Sequence, residues 1–546
     1  MKPSRSFFIL AILLVLMTSG FIYQTSSISG DWVKKAQYLL GLQLTDNEID
    51  SMLPELEDHL KGYSFNRGFK ISNEVIPAIK FDPVPAGYQW RNNKARPAFS
   101  PLPTGLPKTS EYAFLTVHQL AALIKSKQIS SVELTRYFIA RLKKFDPTLK
   151  CVINFTEEYA LAQAALLDKE INAGKYRGLL HGIPYGAKDL LAKKGYPTTW
   201  GSVPFKDQVF DYDAAVVKKI ENAGGVLIAK MSVGELAWGD VWFGGMTRNP
   251  WDTLSGSSGS SAGSASAVSA GCLPFAIGTE TLGSIISPST ICGTTGLRPT
   301  FGAVPGEGCM KLCPSMDKIG PITRSVEDAA IVFQYIKGDY NSGTRSGPID
   351  FPFQYNKNIK TLKIGYLKND FDRTYPFHKN DSLALEVFKA NGLELIPIEL
   401  PESPNMSIIL SAEAGASFDE LTRSGNDDLM VRQIRNAWPN VFRASRFIPA
   451  VEYIQANKLR SILMENMEQM LKKADVYIAP SWSGRNLNVT NYSAHPCVVV
   501  PNGFRNNRPT SISFIGKLYH EDEVLLVAKY YQEHTNWHLQ HPPLSL

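Results

Sequence analysis

Cysteine is scarce in this chain of 546 residues: only Cys151, Cys272, Cys292, Cys309, Cys313 and Cys497 are present. Six are too few for a disulfide scaffold, and no Cys-x-x-Cys pair or Cys/His cluster has metal-ligand spacing. No metal site is therefore expected. Only Cys309 and Cys313 lie close together. A disulfide made in an oxidising compartment and two free thiols in a loop are both open readings. Charge of one sign is also lacking. The 57 Lys and Arg against 51 Asp and Glu leave +6, with no long basic run interleaved with aromatics, so no nucleic-acid surface is expected. After the first two dozen residues no apolar stretch approaches membrane-spanning length. With 44% hydrophobic and 20% charged residues, most of the chain has the composition of a folded globular protein.

The N-terminus is different. Lys2 and Arg5 precede an apolar run from Phe7 to Met17, followed by Thr18-Ser19-Gly20. Charge, apolar stretch and small residues in that order predict a signal peptide over residues 1–28, and so a secreted or periplasmic protein. Extension through Phe21-Ile22-Tyr23 would turn the segment into an uncleaved membrane anchor.

Residues 29–75 read as a helical extension. Val33, Leu39, Leu40, Leu42, Ile49, Met52, Leu53 and Leu56 recur at roughly helical spacing, with Thr45-Asp46 as a cap between two pieces. Prolines then recur every few residues, which predicts an extended connector over 76–112. The catalytic body is expected over 113–546. Thr116-Val-His-Gln119 and Ser130-Ser-Val-Glu133 have the capping-box form and open amphipathic helices. Beyond them, short apolar strands alternate with helical patterns such as Ala214–Ala223 and Val326–Tyr335. The strands are Leu227–Ala229, Pro274–Ile277, Lys363–Tyr366, Val476–Ala479 and Val498–Val500. Such alternation predicts an α/β fold around a largely buried sheet. Residues 349–473 are less patterned, and either a variable wall of the substrate pocket or a structural insertion fits them.

One stretch stands apart. Residues Ser255 to Gly271 contain almost nothing but Gly, Ser and Ala, the composition of a flexible linker. They run directly into the apolar strand Pro274–Ile277 and then a second small-residue turn, Gly278-Thr-Glu-Thr-Leu-Gly-Ser-Ile285, which is no place for a linker. Small residues let backbones approach closely, expose amide N–H groups and present hydroxyls without cover, as a nucleophilic serine requires. Upstream, Gly182-Ile-Pro-Tyr-Gly-Ala-Lys188-Asp189 sets a lysine among Ile183, Tyr185, Ala187 and Leu190. An amine desolvated there would lose basicity enough to act as a base near neutral pH. Gly259-Ser-Ser261-Ala-Gly263 also satisfies the esterase Gly-x-Ser-x-Gly pattern with Ser261 as nucleophile, but Asn249–Leu254 before it is not the hydrophobic strand such an elbow needs.

Five of these segments, in order, resemble the motifs of the amidase signature family: Gly182–Asp189, Ser258–Ala265, Gly278–Ile285, Gly296-Leu-Arg-Pro-Thr300 and Ser315-Met-Asp-Lys-Ile-Gly-Pro321. The resemblance implies a large mixed β-sheet sandwiched between helices, and it places the family's Ser-Ser-Lys triad on Ser284, Ser260 and Lys188. It further implies a cis peptide bond before Ser260, and an oxyanion hole from the N–H groups of Thr281, Leu282, Gly283 and Ser284. The implied reaction is hydrolysis of a small-molecule amide through an acyl-enzyme, without cofactor or metal. Three positions depart from the family pattern: Glu280, Leu282 and Ile286 stand where an aspartate, a glycine and an arginine are usual. The usual acid-to-arginine pairing is thus lost and the loop must be braced differently. Leu282 requires an ordinary negative φ or strain. The segment Asn488–Pro496 resembles a late loop of the family, and its His495 reads as structural because the lysine already supplies the base. A non-catalytic exported binding protein on the same fold and the amidotransferase role of some family members are the other readings. A cytosolic tRNA-modifying role sits poorly with an export signal.

Overall fold

The computed structural model describes residues 28–544, apart from 76, 86, 107–110 and 339–348. All of the predicted signal segment except Ile28 lies outside the described residues. The chain divides into two compact units, 1–72 and 73–546.

In the first unit, helices α1 (Gly30–Leu39) and α2 (Asp46–Asn66) follow the apolar spacing. Thr45 caps α2 with a complete capping box: its hydroxyl accepts from Glu48 N–H, and the Glu48 carboxylate accepts from Thr45 N–H. Ile49 is the buried apolar side chain of the pair.

The second unit is built on an eleven-stranded mixed sheet. In chain order the strands are β1 (Val152–Phe155), β2 (Pro184–Lys188), β3 (Val226–Met231), β4 (Phe275–Glu280), β5 (Thr295–Arg298) and β6 (Lys318–Thr323). They continue with β7 (Ile364–Leu367), β8 (Leu395–Ile398), β9 (Val476–Pro480), β10 (Cys497–Arg505) and β11 (Arg508–Gly516). Across the sheet they lie in the order β1-β3-β2-β4-β6-β5-β10-β11-β9-β7-β8. The β2–β3, β2–β4, β7–β8 and β7–β9 pairings are parallel and the rest antiparallel. Every residue of β2, β3 and β4 is buried, as continuous apolar runs sandwiched under helices require.

The strand expectations stand, with ends shifted by a few residues. The capping box at Thr116 forms in full, whereas at Ser130 only half of it forms. The Ser130 hydroxyl accepts from Glu133 N–H, but the Glu133 carboxylate takes the Tyr112 hydroxyl instead. The described residues of the proline-rich segment have almost no regular structure and are tied to the body by side chains. The Tyr88 hydroxyl donates to the Leu518 carbonyl at 2.7 Å, and Arg91 pairs with Asp522. Residues 349–473 supply β7 and β8, one end of the main sheet. All six cysteines are buried free thiols, so Cys309 and Cys313 are not bridged.

The topology gathers chemistry at one edge. Because β2 and β4 are parallel, Lys188 and Glu280 both finish there. β6 runs antiparallel to β4 and starts there with Lys318 opposite Glu280, and β5, antiparallel to β6, ends there with Arg298. Carboxyl ends of strands in open α/β sheets are where ligands bind.

Candidate active site

Lys188 closes β2 with no exposed surface. Its Nζ donates to Ser260 Oγ at 2.8 Å, Ser261 Oγ at 3.1 Å, Thr279 Oγ1 at 2.7 Å and the Thr279 carbonyl at 3.2 Å. Among the described residues no carboxylate pairs with it. Burial pushes the amine down to about 7, against the pull of Asp317 and Glu280. The apolar neighbours that mark this lysine in the sequence, Ile183, Tyr185, Ala187 and Leu190, are all buried.

Ser260 and Ser261 lead into the helix Ala262–Ser269, every residue of which is buried. The Gly/Ser run is thus a core element. Its small side chains let backbone touch backbone: a Cβ on Gly259 would lie 1.8 Å from the Gly239 carbonyl oxygen, and one on Gly263 would lie 2.2 Å from that of Cys151. The Gly259–Ser260 peptide bond is cis. Ser261 does not fit the esterase elbow. Its hydroxyl is buried, donates to the Thr279 carbonyl at 3.0 Å and accepts from Thr279 N–H at 3.1 Å and from Lys188.

Ser284 lies in the turn after β4, half-buried, and its carbonyl accepts from Ser261 N–H at 3.1 Å. The two serine-bearing turns therefore touch through their backbones. The Ser284 hydroxyl makes no hydrogen bond to any described residue, Ser260 included. Nor do the N–H groups of Thr281, Leu282, Gly283 and Ser284 donate to any described residue. Gly283 adopts φ +98° and Leu282 does not have a positive φ, so the glycine takes the left-handed step of the turn.

The brace around this turn is where the sequence expectation needs correcting. Glu280 does pair with an arginine, at another position: Arg298 Nη1 lies 3.0 Å from its carboxylate, both side chains wholly buried. The carboxylate also accepts from Ile285 N–H at 2.8 Å, Ile286 N–H at 3.0 Å and Asn491 Nδ2 at 2.9 Å. Burial alone would raise the Glu280 pKa, but Arg298, Lys318 and the two backbone donors outweigh it and hold it low. Freed from the pairing role, Ile286 packs into an apolar cluster with Cys313, Met316 and Leu367. Arg298 stands inside one of the five motifs, so its presence was legible although its partner was not. Asn491 lies in the late segment 488–496, whose His495 is buried. Burial and Arg298 push that imidazole down to about 3, in keeping with a structural role.

Sequence reasoning missed Thr279, which holds Lys188 twice, and it missed Asp317 and Lys318. The Asp317 carboxylate accepts from the Thr281 hydroxyl at 2.6 Å. Lys318 Nζ donates to the Thr281 carbonyl at 3.4 Å and to that of Met316. Asp317, Lys318, Thr279 and Thr281 share the lining of a small cavity with Ala237 and Cys309. Among the described residues no group of three His, Cys, Asp or Glu side chains is arranged to hold a metal ion.

Known proteins carry the same arrangement of chain. A family model described as Amidase matches residues 133–493. A glutamyl-tRNA(Gln) amidotransferase subunit from a Marinomonas species is 31% identical over 480 residues, spanning 79% of this chain and 99% of that one. The crystallised peptide amidase of Stenotrophomonas maltophilia superposes with a TM-score of 0.69 at 27% identity, over 79% of this chain and 99% of its own. A bacterial aryl acylamidase of the amidase signature family shares the fold, with a TM-score of 0.70 at 23% identity over 79% and 99% of the two chains.

Proposed function

Since the chain belongs to the amidase family of enzymes acting on C–N amide bonds, we propose that it hydrolyses carboxylic amides with Lys188, Ser260 and Ser284 as its catalytic group. The observation that carries this reading is a solvent-free amine, held near neutral pKa, 2.8 Å from the hydroxyl of Ser260.

In the first half of the reaction, neutral Lys188 takes the proton of Ser260 as Ser260 takes that of Ser284, and Ser284 Oγ bonds to the amide carbon. The carbonyl oxygen becomes an oxyanion within reach of the uncommitted N–H groups of residues 281–284, donors that need no rearrangement when charge develops. The relay returns a proton to the amide nitrogen, the C–N bond breaks, and ammonia or an amine departs. Water then attacks the acyl-Ser284 ester along the same proton path and releases the acid. The Ser284 to Ser260 hydrogen bond forms as substrate docks, since catalytic contacts are often open in an empty site.

The proposed substrates are non-peptide amides or peptide-terminal carboxamides, the latter in line with the likeness to a peptide amidase. A second reading comes from the 31% identical relative, named for its place in a glutamyl-tRNA(Gln) amidotransferase: the same chemistry would then serve a multi-subunit enzyme. The two separate on the isolated chain. We expect it to release ammonia or amine from members of a panel of amides, with Ser284→Ala inactive. Turnover that needs added partner subunits would favour the second reading, and unchanged turnover by Ser284→Ala would end the first. We also propose export by the segment 1–28. N-terminal sequencing of the protein from fractionated cells checks it.

A further inference from the structure

We propose that Lys318 is a positioning residue for the oxyanion hole: its amine fixes the peptide plane between Thr281 and Leu282 so that Leu282 N–H faces the reacting carbonyl. The inference rests on the reading of Ser284 as nucleophile. In a trans peptide the C=O and N–H point in opposite directions, so whatever grips the carbonyl aims the amide. Lys318 Nζ grips the Thr281 carbonyl at 3.4 Å from β6, and the neighbouring Asp317 grips the Thr281 hydroxyl at 2.6 Å. Asp317 is itself fixed by the N–H groups of Leu312 and Cys313 at 2.9 and 3.0 Å.

The downstream end of the same turn is held in an analogous way. The Gly283 carbonyl accepts from Ser287 N–H at 2.7 Å, which aims Ser284 N–H, and Glu280 holds Ile285 N–H and Ile286 N–H. Leu282 has no such grip of its own. Its side chain is half-buried against the apolar cluster, and its N–H donates to no described residue. Lys318 is thus the one side chain among the described residues that bonds to the 281–282 peptide, and it is kept in place without solvent: it is 3% exposed, opposite Glu280 in the β4–β6 register. A buried amine on a structural strand is otherwise a costly choice, because an apolar side chain of the same length would fill the space. Holding the Thr281 carbonyl, together with that of Met316 and beside the charge of Glu280, supplies a reason for the amine.

A fluorophosphonate tests this without a known substrate, because its phosphoryl oxygen occupies the place of the oxyanion as Ser284 Oγ bonds to phosphorus and fluoride leaves. Lys318→Met is expected to lower the maximal labelling rate constant about 10-fold while the half-saturating probe concentration stays within about 3-fold. Lys318→Gln, which keeps an N–H donor on a shorter arm, is expected to recover part of the rate. A maximal rate for Lys318→Met within about 2-fold of wild type overturns the proposal, as does a loss that appears only in the half-saturating concentration. Should Lys318→Met fail to fold, Lys318→Gln decides alone: a maximal rate lowered about 2- to 5-fold at an unchanged half-saturating concentration supports the positioning role, and a wild-type maximal rate or a loss carried by probe affinity overturns it. Wild-type protein that does not label at Ser284 brings down the nucleophile reading itself, a separate outcome.

Discussion

Lys188 and Lys230 stand on neighbouring parallel strands, one register position apart, with Lys230 opposite Ala187 and Lys188 opposite Met231. Both are sealed from solvent, and successive residues of a strand face opposite sides of the sheet, so the two amines lie on opposite faces. Burial pushes both amines down. The partners differ. Lys230 meets the Asp189 carboxylate at 2.6 Å, which opposes the downward push and makes a buried ion pair. Lys188 meets three hydroxyls and a carbonyl, which accept its hydrogen bonds without supplying a full negative charge. Burial without a carboxylate partner thus leaves Lys188 able to give up its proton near neutral pH, whereas burial against a carboxylate sets Lys230 in an ion pair. A general base depends on the absence of a carboxylate as much as on burial.

The strongest way to break that comparison is Lys188→Met. It should lower kcat/KM for whichever amide the protein turns over by at least about 10³-fold, because Ser260 and Ser284 then lack a base. A variant that keeps a tenth of the wild-type rate would remove Lys188 from the chemistry. In the wild type the acid limb should follow from an amine pushed down to about 7. The protonated form cannot accept a proton, so kcat/KM should fall about tenfold per pH unit below about 7 and level off above it. A profile flat down to pH 5 would contradict the assignment.

Lys230→Met sharpens the comparison from the other side. It leaves the Asp189 carboxylate buried without its cation, and truncating one partner of a buried pair costs about 3–5 kcal/mol. The thermal midpoint should fall clearly. In the double variant Lys230→Met/Asp189→Asn most of the loss should return, because asparagine still accepts from the Thr199 N–H that Asp189 holds at 2.7 Å. If the single and double variants are equally unstable, the ion pair is not what makes Lys230 structural.

How much of this was legible follows from the range of the contacts. The burial of Lys188 could be read from its immediate neighbours, and the α/β fold from alternating patterns; the serine positions followed from motifs in a fixed order. The Gly/Ser run was harder. A helix as uniformly buried as Ala262–Ser269 has no polar face to give periodicity, so composition alone makes it a linker. Within 349–473 the strand β7 stood out as Lys363–Tyr366, whereas β8, four residues long and only partly buried, did not. Thr279 and Lys318 act through contacts 91 and 37 positions distant in sequence, with Lys188 and Thr281, and nothing local marks such pairs. Glu280 shows the limit of motif reading. Its usual partner position holds isoleucine, yet the charge pairs with Arg298, whose strand reaches the same edge through the sheet order.

Ser261→Ala should have the smallest effect, and it separates the two serines that both touch Lys188. The Ser261 hydroxyl donates to the Thr279 carbonyl and accepts from Thr279 N–H, so its proton is directed away from Lys188 and it orients the lysine without relaying for it. Removing it leaves Lys188 with Ser260 and both Thr279 acceptors, and leaves Thr279 N–H without its partner. A modest drop in kcat, about 3- to 30-fold, with KM little changed is the expected result, well short of what Ser260→Ala should do. A loss from Ser261→Ala as large as that from Lys188→Met would mean that the proton path runs through Ser261. The cis-linked serine at 260 would then be scaffolding, and the division between a structural lysine and a catalytic one would have to be redrawn around a different hydroxyl.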